Sequence, residues 1–198
     1  HYQERKIMAK EKITKGCWGY RKKHRRMQVM IIALFAVLII IQLAARGFTD
    51  SEAAKNVLTV MAVLTVLPMA NIASPFLASF PYKTMDREKY EKYAAYENQF
   101  AVLYDLIVTT KEYMIPMDVA VVHPTGVYCY CTREKLDYGK AEKALNQIFV
   151  DGHLDPTVKL IPSEAAFERR LESLKPASQY EDDGSVEYGI KLLKAISM

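Results

Sequence analysis

Two long apolar runs open the chain, and beyond them the sequence breaks into short apolar stretches separated by polar ones. The first run, residues 27–45 (MQVMIIALFAVLIIIQLAA), carries no charge. Its length is close to the roughly 20 residues a helix needs to cross a bilayer core. It is too long for the apolar core of a signal peptide, and Gln42 breaks a small-residue cleavage pattern. A polar loop, 46–55, follows, and Thr49-Asp50-Ser51-Glu52 has the side-chain oxygens that cap a helix. The second run, 53–72, contains NVLTVMAVLTVLPMANI. Pro68 removes a backbone donor and predicts a kink. Asn71 is polar at depth and predicts a bond to a neighbouring helix or to a carbonyl freed by Pro68. Residues 74–82 (SPFLASFPY) then leave the apolar region, with aromatics suited to an interface.

The second half has shorter periods. Over 84–110, Tyr93, Phe100, Leu103, Tyr104 and Ile107 recur at helical spacing and predict one long helix, capped by Thr84 or Asp86. Residues 112–123 are β-branched and nearly continuously apolar, which predicts a strand buried on both faces. Pro124-Thr125-Gly126 turns the chain, and 127–132 returns as a second strand. A helix over 135–150 has Ala141, Ala144, Leu145, Ile148 and Phe149 on one side. A third strand at 158–161 precedes a helix over 164–174 capped by Ser163. An acidic loop at 179–185 and a last helix at 186–196 complete the chain. The order helix–strand–strand–helix–strand–helix–helix is that of a small α/β domain. The expected fold is therefore a membrane protein: a two-helix transmembrane hairpin, then a small cytosolic α/β domain with a sheet of three or more strands flanked by helices. The divisions are a basic arm at 1–26, the hairpin at 27–80 and the α/β domain at 84–198.

Charge fixes an orientation. The net charge is +4, but Lys and Arg crowd between Arg5 and Arg26, where the only acid is Glu11. Lys83, Arg87, Lys89 and Lys92 follow the second run, while Arg46 and Lys55 in the connecting loop are balanced by Asp50 and Glu52. The positive-inside rule then predicts a multi-pass protein of the cell membrane with both termini cytoplasmic. The basic arm is suited to anionic headgroups, each cation being worth about 1 kcal/mol near such a surface. The chain begins at His1, and Met8 opens a plausible start, so 1–7 are expected to be leader sequence. Cys17, Cys129 and Cys131 are an odd number at no disulfide-framework spacing, which fits a reducing compartment. Cys17, in the juxtamembrane segment, is either a plain thiol or an acylation site.

Chemistry is sparse. No glycine-rich phosphate loop is present, and no acid or base lies in 27–45 or 56–72 to make an ion pathway. Cys129 and Cys131, one residue apart on a strand with His123 and His153 nearby in sequence, fit small buried hydrophobes better than zinc ligands or a Cys-His nucleophile. The hairpin 114–133 (MIPMDVAVVHPTGVYCYCTR) carries the one suggestive pattern: Asp118, seven residues, Gly126, then an alternating apolar strand. This resembles the nuclease-related domain and, more broadly, the restriction-endonuclease-like PD-(D/E)xK fold, over roughly residues 90–175. The resemblance implies a helix acid, for which Glu97 stands, and Asp118 as the strand acid holding a divalent metal. It also implies a Glu-x-Lys pair five and seven residues after Gly126. Those positions are Cys131 and Arg133. A thiol is a poor ligand for magnesium, and an arginine cannot serve as a base.

The expectation is a bacterial membrane-anchored protein whose α/β domain, of nuclease-like descent, is non-catalytic, takes no cofactor and binds a protein partner. A metal-dependent nuclease is the alternative, with Asp118 and Glu97 catalytic, Asp118 on a divalent ion and nucleic acid as substrate. A further alternative is an oligomerising membrane component, a homo-oligomer built on the helical hairpin.

Overall fold

The computed structural model describes residues 13–198; the expected leader and the first part of the basic arm lie outside the described residues. The chain divides into two compact units. One is Lys22–Lys83; the other joins the residues through Arg21 to Thr84–Met198.

The first of these is built on two helices, α1 (Tyr20–Phe48) and α2 (Glu52–Ser79). Both are long and apolar enough to cross a membrane. At 1.5 Å per residue each exceeds the roughly 30 Å of a hydrocarbon core. Large apolar side chains such as Leu34, Ile40, Leu64 and Leu67 are exposed on them. Ser51 caps α2 by accepting from the Ala54 amide. The helices are joined by a polar contact: Gln42 Nε2 donates to Thr65 Oγ1 at 3.2 Å, and Thr65 donates to the Met61 carbonyl at 2.7 Å. Helix α2 does not end before Ser74, as the sequence led us to expect. It continues through Pro75 to Ser79. A proline forfeits one helical bond, whereas unwinding an apolar segment would expose every backbone group in it, so the helix persists.

The other unit is a mixed four-stranded sheet between helices. Its elements are α3 (Arg87–Ala94), β1 (Ala101–Thr109), β2 (Met114–His123), β3 (Gly126–Cys131), α4 (Tyr138–Asp151), β4 (Val158–Ile161), α5 (Glu164–Ser173) and α6 (Ser185–Ala195). Strand order is β1-β2-β3-β4, antiparallel except for the parallel β3/β4 pair. The long helix expected over 84–110 is thus a short helix followed by a strand, and the expected sheet of three or more strands has four. Gly126 makes the β2–β3 turn at φ +154°; a Cβ there would stand 2.8 Å from the Thr157 carbonyl oxygen.

Each sheet face carries its own core. Leu106, Met117, Val122, Cys129 and Cys131 pack with Ala141, Leu145 and Phe149 of α4 and Leu193 of α6. Tyr104, Val119, Val121, Tyr128 and Tyr130 pack with Tyr93 of α3 and Phe167 and Leu171 of α5. Both sheet edges are occupied, which keeps their backbone groups from templating another chain. Along β1, Tyr104 N donates to Gly16 O and Met198 N to Ile107 O. Along β4, side chains of α4 substitute for a strand: Asn146 Oδ1 accepts from Val158 N at 2.8 Å, and Glu142 Oε2 from Leu160 N at 3.1 Å.

Candidate functional site

The sheet has one irregularity, and the candidate acid sits on it. In β1, Leu103 belongs to the α4 face and Tyr104 to the other, yet Leu106 and Val108 return to the α4 face. The alternation slips by one residue at Asp105. In β2 it slips again: Ile115 and Met117 share a face with Ala120 and Val122, while Val119 and Val121 point away. The extra residue is Asp118. The ladder shows the same fault, since Met117 pairs with Cys131 but Val119 pairs with Tyr130. Tyr104 pairs with Val119 and Leu106 with Met117, so Asp105 and Asp118 lie opposite each other. Two bulges in adjacent strands leave a gap in the backbone pairing, and bulges of this kind re-aim side chains.

Arg21, in the first turn of α1, fills the gap. Its Nη1 donates to Asp118 Oδ1 at 2.8 Å. Its Nη2 donates to the Leu106 and Met117 carbonyls, at 2.7 and 2.8 Å, which are the carbonyls flanking the bulges. The pair is sheltered, with side-chain exposures of 5% for Arg21 and 15% for Asp118. Thr132 adds a longer contact to Asp118 Oδ2, at 3.4 Å.

Asp105 is more enclosed, at 1% exposure, and takes the left-handed conformation, φ +55°. Its Oδ2 accepts from the Gly19 amide at 2.8 Å. Gly19 itself is at φ +84°, a conformation costly for a side chain with a Cβ. Burial pushes the Asp105 carboxyl above its ordinary range; the Arg21 charge, the Gly19 and Met85 amides and the Thr84 hydroxyl pull it back only in part. A guanidinium between two carboxylates is thus the electrostatic centre of the unit.

The positions named by the sequence pattern separate. Glu97 lies in turns beyond α3, not on a helix, and accepts from the Tyr104 hydroxyl at 2.8 Å. Asp118 has Arg21 instead, and no hydrogen bond or ion pair joins the two acids among the described residues. Cys131 is fully buried in the α4-side core, and burial pushes its thiol up. Arg133 donates to the Met114 carbonyl at 2.6 Å and so ties the end of β3 to the start of β2. Tyr138 donates to the Cys131 and Arg133 carbonyls. His123 is buried, its ring nitrogens bonded to Thr125 Oγ1 and the Lys175 carbonyl.

These residues do not fit a magnesium ion. The hard oxygen donor at Asp118 is already neutralised, the next position offers an undissociated thiol, and the one after it a cation. No cluster of three or more His, Cys, Asp or Glu side chains is gathered among the described residues. Lys89, paired with Glu164 Oε2 at 2.9 Å, adds a further positive charge near Asp118.

Arg21 and Asp105 carry the site's electrostatics, and neither is singled out by the sequence pattern. Asp105 has a signal, an acid inside the apolar stretch AVLYDLIVT, which requires a buried partner. Arg21 has none; it stands beside Lys22 and Lys23 in a uniformly basic segment.

The arrangement defines a mixed α/β unit with an Asp–Arg–Asp centre, buried at Arg21 and Asp105 and half-buried at Asp118, joined to a pair of helices of membrane-spanning length. Comparison with protein-family models, curated proteins and solved structures finds no match to the chain.

Proposed function

We propose that the chain is a bacterial membrane-anchored protein with two spans and cytoplasmic termini. Its α/β unit is a non-catalytic interaction domain of nuclease-like descent. The observation that carries the reading is the Arg21–Asp118 pair: the acid that a nuclease would present to a metal is used to hold an arginine of the same chain. The layout adds support. A short helix precedes the sheet, Asp118 lies on β2 with Gly126 at the turn after it, and a helix, a strand and a further helix follow.

Support for the membrane anchor comes from the length and exposure of the apolar surfaces of α1 and α2. The cationic residues flanking them orient it.

The test is a nuclease assay on the full chain with magnesium and with manganese, beside Asp118→Ala. Equal background cleavage is expected from both. Cleavage by the wild-type chain that disappears in Asp118→Ala would instead establish the metal-dependent nuclease. For the anchor, resistance of membrane-bound protein to alkaline extraction is expected; release by carbonate would refute it.

A further inference from the structure

A cavity of about 620 Å³ opens on the α/β unit at the start of the described chain. Its walls include Trp18, Tyr90, Phe100 and Tyr104, with Glu97 and Cys17. The aromatics form a connected set. Trp18 stacks on Tyr90 with centroids 4.8 Å apart, and Tyr90 meets Tyr104 edge-on at 5.0 Å. The Trp18 indole N–H donates to the Met85 carbonyl at 2.8 Å, which fixes the ring.

Glu97 is the only formally charged residue on the described lining. One of its oxygens accepts from the Tyr104 hydroxyl at 2.8 Å, which holds the carboxylate at the wall and leaves it lone pairs for more. Burial, reinforced by this acid, pushes the Tyr104 phenol above its ordinary range, so Tyr104 stays a donor to Glu97. Several π-systems around one carboxylate repel an anion. They attract a cation that carries its charge on an apolar surface, because ring quadrupoles and the carboxylate act together on it. The volume lies in the range of small-molecule sites, roughly 300–1,000 Å³.

From this lining we infer that the cavity binds a small organic cation, a quaternary ammonium group, with Glu97 as its counter-ion and Trp18 and Tyr90 on its walls. The inference does not depend on whether the domain descends from nucleases, and it gives Glu97 a use apart from Asp118.

The chain supplies its own probe, since Trp18 is its sole tryptophan. Full-length protein in phosphatidylglycerol nanodiscs is titrated with tetramethylammonium and choline while Trp18 emission is followed. The uncharged isostere 3,3-dimethylbutan-1-ol serves as control. Saturable change with the cations is expected, with the neutral isostere at least about tenfold weaker. Glu97→Gln, which retains an acceptor for Tyr104, is expected to weaken cation binding by a similar factor. Tyr90→Leu should do the same, with unchanged far-ultraviolet circular dichroism showing that each variant is folded. Nanodiscs containing phosphatidylcholine separate the two sources of the cation: competition there assigns the site to a lipid headgroup, and its absence assigns it to a soluble ligand. Non-saturable response, equal response to the neutral isostere, or undiminished binding by folded Glu97→Gln would overturn the inference.

Discussion

Replacing Arg21 by Met removes the guanidinium and keeps most of the aliphatic stem. Three short hydrogen bonds are lost: one to Asp118 and two to the Leu106 and Met117 carbonyls. Bonds to a charged group are worth about 1.5–3 kcal/mol each, but these share one donor group and do not add. The better guide is the cost of stripping one partner from a buried ion pair, about 3–5 kcal/mol. That is a large part of the roughly 5–15 kcal/mol that holds a typical domain. Trp18 reports on the α/β unit, so urea unfolding of the full chain in nanodiscs, followed by Trp18 emission, reads the loss as a lower midpoint.

The pH dependence gives this prediction its sign. Asp105 has a folded pKa above its ordinary value. Between the unfolded value, near 3.9, and the folded one, the native state binds more protons, so stability falls as pH rises through that window. Arg21 is the foremost influence pulling Asp105 down. Without it the window widens upward, and the deficit of Arg21→Met should be largest at neutral pH and shrink as acid protonates Asp105. Adding Asp105→Asn to Arg21→Met should recover part of the loss at neutral pH. A deficit below about 1 kcal/mol, as for an exposed pair, would refute the reasoning. So would a deficit that grows as pH falls.

Other expectations rest on single positions. Gly126→Ala places a Cβ 2.8 Å from the Thr157 carbonyl oxygen at φ +154°, and should cost about 1–3 kcal/mol in the same unfolding assay. Asn146→Ala leaves the Val158 amide and carbonyl on the β4 edge unpaired, for a loss of about 1–3 kcal/mol and faster aggregation by light scattering. Gln42→Leu removes the polar link between α1 and α2 and should lower helix-pair stability by only about 0.6 kcal/mol, measured by steric trapping. Of the three cysteines only Cys17 is exposed, so maleimide mass labelling should add one adduct to the native chain and three after denaturation.

The two apolar helices are legible in the sequence because composition and length suffice for them. The β2–β3 hairpin is legible because a glycine turn divides two strands, and the alternation in β3 is undisturbed. Strand β1 reads as helix because both its faces are buried. The residues that read as one helical face do not share a face of the sheet: Leu103 lies in the α4-side core, while Phe100 and Tyr104 lie in the opposite one. With Leu103, Tyr104, Leu106, Ile107 and Val108 all buried, the two-sided strand holds apolar residues at 100, 103, 104 and 107, a spacing that imitates a helical face over so short a run. The error carries Glu97 onto a helix that in fact ends at Ala94. Arg21 is illegible for a different reason: its partner lies 97 residues away, and nothing local distinguishes it from its basic neighbours.

That distant pairing bears on what the site does. The bulges at Asp105 and Asp118 open the sheet to Arg21. The Leu106 and Met117 carbonyls, beside the bulges, both accept from the guanidinium. A divalent ion entering at Asp118 would have to displace a cation tethered by the chain, always charged, and bonded to two carbonyls as well. Displacement would take the guanidinium's bonds from both carbonyls and leave Asp105 without its compensating charge. The cost falls on folding as well as on metal affinity, so the gap cannot be vacated without weakening the unit. Asp118 therefore acts by seating Arg21, the last residue before the chain enters its other unit at Lys22, and the Arg21→Met experiment measures how firmly that seat is held.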